Sequence, residues 1–244
     1  MFGGIFSFGL PGLVLVAAAL YHFIRRRPDG YWLWIIIFLG PLGSLIYLAV
    51  QALPELRDPG AFKFVGRGRR IRELEYAVHQ NPSAGNYEEL GQLYLDEGQW
   101  QKARACFDRA LSQRTDSIDP FYRRAIAAME LGDSPAAISD LERVVRAEPD
   151  YDIHRAIGLL AWLYARAGRT EAAHTLFKSA LQNSTLTETQ YHYAEFLASQ
   201  GRSAEARQWV ERILAKRAGM PSFQRRHERP WFRQAQALLA RLPA

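Results

Sequence analysis

The side chains in this sequence best suited to catalysis or metal binding are six histidines and one cysteine. His22, His79, His154, His174, His192 and His227 are scattered, with no i, i+4 pair and no cysteine at metal-ligand spacing. Cys106 stands beside Phe107 on a helical face with nothing arranged to lower a thiol pKa, so it is expected to be a small buried filler. A lone cysteine also excludes an intrachain disulfide framework. Gly66-Arg67-Gly68 lacks the preceding strand and the remainder of a nucleotide-binding fingerprint. Asp and Glu are interleaved with Arg and Lys on helix faces, which is ordinary solvation. The expectation is therefore no enzyme chemistry, no cofactor and no metal. Aromatic and arginine side chains remain, and these are the usual energetic anchors of protein interfaces.

Such anchors need a scaffold, and the stretch from Tyr87 to Ala110 supplies its unit. Tyr87, Leu90, Gly91 and Tyr94 recur at helical spacing, a break follows near Glu97-Gly98-Gln99, and Ala103, Phe107 and Ala110 form a small–large–small stripe. Gly91 lies where a missing side chain lets a second helix approach closely. This pattern resembles the tetratricopeptide repeat, a helix–turn–helix unit of about 34 residues. Phe121, Ala125 and Ala128, then Ala137, Leu141 and Val144, make a second copy, in which Arg124 stands where the family pattern has leucine; looser packing is expected there. A third unit begins near His154 (Ile157, Leu160, Ala161, Tyr164, then Ala173, Phe177, Ala180), and a weaker fourth has Tyr193, Ala194 and Leu197, then Ala206, Val210 and Ile213. The turn glycines Gly98, Gly132, Gly168 and Gly201 keep close to the repeat period.

The resemblance implies an all-α solenoid in which the first helix of each unit lines a concave groove. Carried over by position, the groove presents Glu88, Gln92, Leu95, Tyr122, Ile126, Met129, Arg155, Trp162, Arg166, Tyr191 and Glu195. The lysine and asparagine clamp that some such domains use for a peptide carboxylate is absent. Tyr122, Arg155, Trp162, Arg166 and Tyr191 are the expected partner-binding side chains, although rings at such positions also pack between neighbouring helices.

The first fifty residues differ in kind. Phe2–Ile24 and Tyr31–Ala52 carry no charged side chain, and each reaches the roughly 20 residues needed to cross a bilayer. Arg25-Arg26-Arg27-Pro28-Asp29-Gly30 separates them as a basic turn, so a transmembrane helical hairpin is expected, bent at Pro11 and Pro41. A cleaved signal peptide fits less well, because no basic segment precedes the first run and arginines follow it. Trp32 to Gly43 followed by Ile46-Tyr47-Leu48 resembles the two-helix membrane module of cardiolipin synthases of the phospholipase D superfamily, over about residues 5 to 53. The superfamily's His-x-Lys motif is absent, so the resemblance implies anchoring and not phosphodiester chemistry. Basic residues after the second run (Arg57, Lys63, Arg67, Arg69, Arg70, Arg72) favour a cytoplasmic C-terminal domain, while the arginine turn pulls the other way.

The expected plan is a hairpin over residues 1–53 (about 2–24 and 31–53), a basic juxtamembrane linker over 54–68, a capping half-repeat over 69–82, about four repeat units over 84–216, and a basic segment with a C-terminal capping helix over 217–244. The expected protein is an inner-membrane scaffold that binds a partner segment in the groove. Two alternatives use other features: binding of anionic lipid or nucleic acid through Arg67–Arg72 and Lys216–Arg229, and association with envelope lipid synthesis. A formal net charge of +6 permits an acidic partner without demanding nucleic acid.

Overall fold

The computed structural model describes residues 10–26, 30–52, 59–113 and 117–243. The chain divides into two compact units, Met1–Arg72 and Glu73–Ala244. All regular structure among the described residues is helical.

In the first unit, α1 (Leu10–Arg26) packs on α2 (Tyr31–Tyr47), which continues as a π-helical turn over Leu48–Ala52. Ala19, Trp32, Ile36 and Tyr47 form the contact, and the Tyr47 hydroxyl lies 2.9 Å from His22 Nδ1. Pro11 falls in the first turn of α1, where no intrahelical N–H is lost, so it opens the helix and does not bend it. Pro41 does break α2: Gly40 takes φ 57° and ψ −129°, and Ser44 Oγ donates to the Gly40 carbonyl at 2.9 Å. One helix, Tyr31–Val50, is long and apolar enough to span a membrane; the apolar part of α1, Gly12–Ile24, is shorter. The expectation of two such spans is thus met by one among the described residues, and positions 2–9 of the first lie outside them.

Helix α3 runs over Pro59–Gln80, so residues 59–68 of the expected linker are helical and 53–58 lie outside the described residues. Proline suits a first helical turn, and no second proline follows to interrupt the hydrogen-bond ladder. Its last turns are tied to the first repeat: Leu74 is buried, and the Tyr94 hydroxyl donates to Glu75 at 2.6 Å.

Four antiparallel helix pairs follow: α4 (Ala84–Asp96) with α5 (Trp100–Ser112), α6 (Asp119–Glu130) with α7 (Ser134–Ala147), α8 (Tyr151–Arg166) with α9 (Thr170–Asn183), and α10 (Thr187–Ser199) with α11 (Ser203–Gly219). Each first helix ends identically. Gly98, Gly132, Gly168 and Gly201 have φ between 69° and 78°. The N–H after each glycine bonds the carbonyl five residues back (Gln99 to Tyr94, Asp133 to Ala128, Arg169 to Tyr164, Arg202 to Leu197), while the glycine N–H bonds the carbonyl three back. This is the Schellman closure, which satisfies carbonyls the helix end would leave bare.

The facing stripes fill the space between paired helices. Ala103, Phe107 and Ala110, Ala137, Leu141 and Val144, Ala173, Phe177 and Ala180, and Ala206, Val210 and Ile213 all lose their solvent exposure completely. A Cβ at Gly91 would sit 2.8 Å from the Phe107 ring, and one at Gly158 would sit 2.5 Å from Thr189 Oγ1, so both glycines are needed for close approach. Beyond the last pair come α12 (Ser222–His227) and α13 (Arg229–Leu239). Phe232 and Ala235 of α13 pack with Tyr191, Ala194, Val210 and Ile213, covering the apolar face that a fifth repeat would occupy.

Looser packing at Arg124 is not what the structure has. Its guanidinium makes two bonds to Asp140 (2.8 and 2.7 Å) and one to Asp108 (2.7 Å), joining α5, α6 and α7 where leucine would only fill space. Asp140 is 6% exposed, so removing the arginine strands a buried carboxylate. Arg124→Leu alone should cost about 2–3 kcal/mol, less than breaking a fully buried pair, because 25% of the Arg124 side chain stays exposed. Arg124→Leu with Asp140→Leu should recover most of that loss, as measured by chemical denaturation of the purified chain. Equal destabilisation by the single and double variants would contradict this account.

Candidate functional site

The first helices α4, α6 and α8 converge on one solvent-open hollow of about 600 Å³. Gln92, Leu95 and Asp96 enter from α4, Trp100 from the start of α5, Tyr122, Arg123 and Ile126 from α6, and Tyr151, Asp152 and Arg155 from α8. Of the eleven groove positions expected from the repeat register, Gln92, Leu95, Tyr122, Ile126 and Arg155 meet here.

A hydrogen-bond network fixes these side chains across repeats. The Tyr122 hydroxyl donates to Asp152 at 2.5 Å and accepts from Arg155 at 3.3 Å. Arg155 also forks onto Glu188 of α10 at 2.6 and 3.3 Å. On the other side, Arg123 bonds both Asp119 and Gln92, and the Tyr151 hydroxyl donates to Asp119. Gln92 then donates to Asp96 at 2.7 Å. Tyr122 and Tyr151 rings stack obliquely, 4.8 Å between centroids. Burial pushes the Tyr122 and Tyr151 hydroxyls up, and their carboxylate acceptors add to this, so both stay protonated as donors. Burial is the largest influence on Arg155 and opposes its charge, but the Glu188 hydrogen bonds together with the charges of Glu188 and Asp152 outweigh it and hold the guanidinium above its ordinary value.

The geometry depends on a backbone feature at the start of α8. Asp152, Ile153 and His154 have φ of 50°, 54° and 63°, a left-handed turn before the regular helix begins. A β-branched residue such as Ile153 rarely adopts this region, and strain of that kind concentrates at functional sites. The turn brings the Asp152 carboxylate to the Tyr122 hydroxyl.

The five expected partner-binding residues are distributed in three places. Tyr122 and Arg155 are in contact at the hollow, but Tyr122 is only 5% exposed and presents little beyond its hydroxyl edge. Trp162 is half-buried and carries the exposed Arg166 guanidinium 4.9 Å above its ring, with no carboxylate partner for Arg166 among the described residues. Tyr191 is 9% exposed, and its hydroxyl donates to Glu195 at 3.2 Å. Its ring lies 5.8 Å from Trp231 of α13, and Trp162, His192 and Trp231 continue the aromatic cluster at 4.9 and 5.2 Å. Burial pushes the Tyr191 hydroxyl up to about 12. Trp100, Arg123, Tyr151, Asp152 and Glu188 were not singled out by sequence. Only Asp119 and Arg123, an acid–base pair at i, i+4, left a visible signal.

No group of three or more His, Cys, Asp or Glu side chains suited to a metal occurs among the described residues. His174 lies instead against the Tyr193 and Phe196 rings, 3.1 Å from Arg202.

Stacked helix pairs with a groove along their first helices define an α-solenoid of the helix–turn–helix repeat class. The chain belongs to the tetratricopeptide-repeat family, which matches residues 84–116 and, in overlapping spans, 122–185 and 159–221. Among solved structures, MamA of Desulfovibrio magneticus superimposes with a TM-score of 0.58 at 20% identity, covering 64% of this chain and 88% of that one. YrrB, described as a TPR protein with an unusual peptide-binding site, gives a TM-score of 0.54 at 16% identity, over 82% of this chain and 92% of its own. These likenesses establish the fold. DnaJ homolog subfamily C member 3 is 32% identical over 95 residues in Gallus gallus and 31% over 103 residues in Rattus norvegicus, or 39% and 42% of this chain. The matched stretch spans only 18% and 20% of those proteins' own length.

The sole cysteine takes no part in the site. Cys106 is buried behind Gly91, and burial, with Glu75 nearby, pushes its thiol up to about 11. At pH 8 its alkylation by iodoacetamide should run about two orders of magnitude slower than that of free cysteine, because so little thiolate exists. Denaturant should restore the free-cysteine rate; rapid labelling of the folded chain would show an open first repeat.

Proposed function

We propose that this chain is a membrane-anchored scaffold that holds a segment of a partner protein along the first helices of its repeats. The observation that carries the reading is the convergence of α4, α6 and α8 on one open hollow whose Arg123, Asp152 and Arg155 are already fixed in place. A site whose side chains are ordered beforehand loses little entropy when a segment binds. Tyr122 and Arg155 act there through the hydroxyl edge and guanidinium, and Trp162 with Arg166 forms a second contact further along. Tyr191 lies against His192, which packs on Trp162. The peptide-binding site named for YrrB is a precedent for this use of the fold.

Anchoring rests on Tyr31–Val50, with α1 as the second arm of a hairpin in the inner membrane. The similarity of residues 5–53 to the membrane module of cardiolipin synthases supports the same role. The basic residues that follow favour a cytoplasmic position for the repeats.

The groove reading is tested by selecting displayed peptides against the detergent-solubilised full chain. A selected peptide should lose about tenfold or more in affinity with Arg123→Glu plus Arg166→Glu, the cost of removing interface arginines. Arg143→Glu on the second helix α7 should leave affinity unchanged; equal loss in both variants would sink the groove. Anchoring is tested separately by alkaline carbonate extraction of native membranes. The full chain should stay with the pellet and a chain lacking residues 1–53 should be released, whereas release of both would refute the anchor.

A further inference from the structure

The exposed large hydrophobic side chains of the second unit are few, and two of them share one place. Ile153 is 71% exposed and Phe223 70% exposed, and both line a hollow of about 600 Å³ with Leu186 and Met220. The two belong to different elements. Ile153 sits in the left-handed turn of α8, where its backbone is strained. Phe223 sits on α12, next to a C-terminal end of α11 that is pinned: Lys216 Nζ donates to the Thr185 carbonyl at 2.6 Å and to Gln190 at 2.7 Å.

Around Phe223 the charge is one-sided, whereas Ile153 is flanked by the exposed carboxylates Glu148, Asp150 and Asp152. Residues 216–233 hold Lys216, Arg217, Arg225, Arg226, Arg229 and Arg233 against Glu228 alone. Arg217, Arg225, Arg226 and Arg229 are exposed, and none has an ion-pair partner among the described residues. In the repeats Arg104, Arg123, Arg124, Arg155, Arg169 and Arg202 each meet a carboxylate, while Arg143 and Arg166 lie over aromatic rings without one among the described residues. A short segment that carries four exposed arginines, with no carboxylate partner among the described residues, and an outstretched phenylalanine suits an interface that is anionic outside and apolar within.

We infer that α12 and the residues flanking it form a peripheral contact for a bilayer surface bearing anionic headgroups, with Phe223 entering the headgroup–acyl boundary and the arginines pairing with phosphates. A nucleic acid would use the arginines and stack on Phe223, but the aliphatic Ile153 beside it offers nothing to a base. This contact is separate from the peptide groove. It depends on the membrane reading only for the nearness of lipid.

The experiment uses the full chain with Cys106→Ala, which removes the only native cysteine, and Gln224→Cys carrying a polarity-sensitive dye. A second preparation carries the dye at the exposed position of Gln101 in the first repeat. Each is combined with vesicles of phosphatidylcholine alone or with one third phosphatidylglycerol. The dye at position 224 should shift to the blue and be quenched by brominated lipid only in the anionic vesicles, while that at 101 stays silent. Raised salt should weaken the effect, Arg225→Glu with Arg226→Glu and Arg229→Glu should remove it, and Phe223→Ser should reduce the quenching. Equal quenching in neutral vesicles, an unchanged signal in the triple variant, or a response to single-stranded oligonucleotide and not to vesicles would each overturn the inference. A chain that floats with both vesicle types while position 224 stays silent refutes the patch and leaves the anchor standing. One that floats only with the anionic vesicles, with position 224 quenched, supports the patch and refutes the anchor.

Discussion

A glycine in the left-handed region closes the first helix of all four repeats, and the rest of the solenoid depends on it. With φ near 70° at Gly98, Gly132, Gly168 and Gly201, the chain reverses within three residues, and the next N–H reaches back to the third carbonyl from the helix end. Any other residue would pay about 1 kcal/mol or more for that backbone. The reversal sets the crossing of each helix pair, and so decides which side chains face inward. Only then can an alanine followed by two further apolar side chains fill the same slot in successive pairs. The groove is a by-product of the stacking, since first helices must lie on one side of the array.

Features governed by local backbone chemistry or by strict periodicity were legible in the sequence. The turn glycines and all four buried stripes are of this kind. Features set by pairing between distant residues were not. Arg124 looked like a defect because its partners, Asp108 and Asp140, lie 16 residues away on either side. The left-handed turn at Asp152–His154 has no glycine to announce it; tertiary contacts hold it in place, with Asp152 fastened to Tyr122. The helical character of residues 59–68 was hidden by three glycines, which weaken a helix without forbidding it.

The candidate site was legible as a face and not as a list of contacts. The repeat register put Gln92, Tyr122 and Arg155 on one surface, and the three line a common hollow. It could not tell a ring that projects into a groove from one that packs across it, because both occupy the same helical positions. Tyr122 and Tyr191 are of the second kind: the Tyr122 hydroxyl fastens to Asp152 of the next repeat, and the Tyr191 hydroxyl donates to Glu195 one turn along its own helix. The exposed chemistry passes instead to residues one step away along the helix or one repeat along the array: Arg123 beside Tyr122, and Arg166 one turn beyond Trp162.

The helix that closes the array, α13, also makes it a ruler. By covering the apolar face beside α11, it stops further repeats, or further copies, from extending the groove by stacking. First helices spaced roughly 10 Å apart make three steps of the array about 30 Å long. An extended chain rising about 3.3 Å per residue covers that span in about nine residues. Under the proposed scaffold function, the number of repeats would set the length of segment gripped at once, and a longer partner would leave the groove at one end.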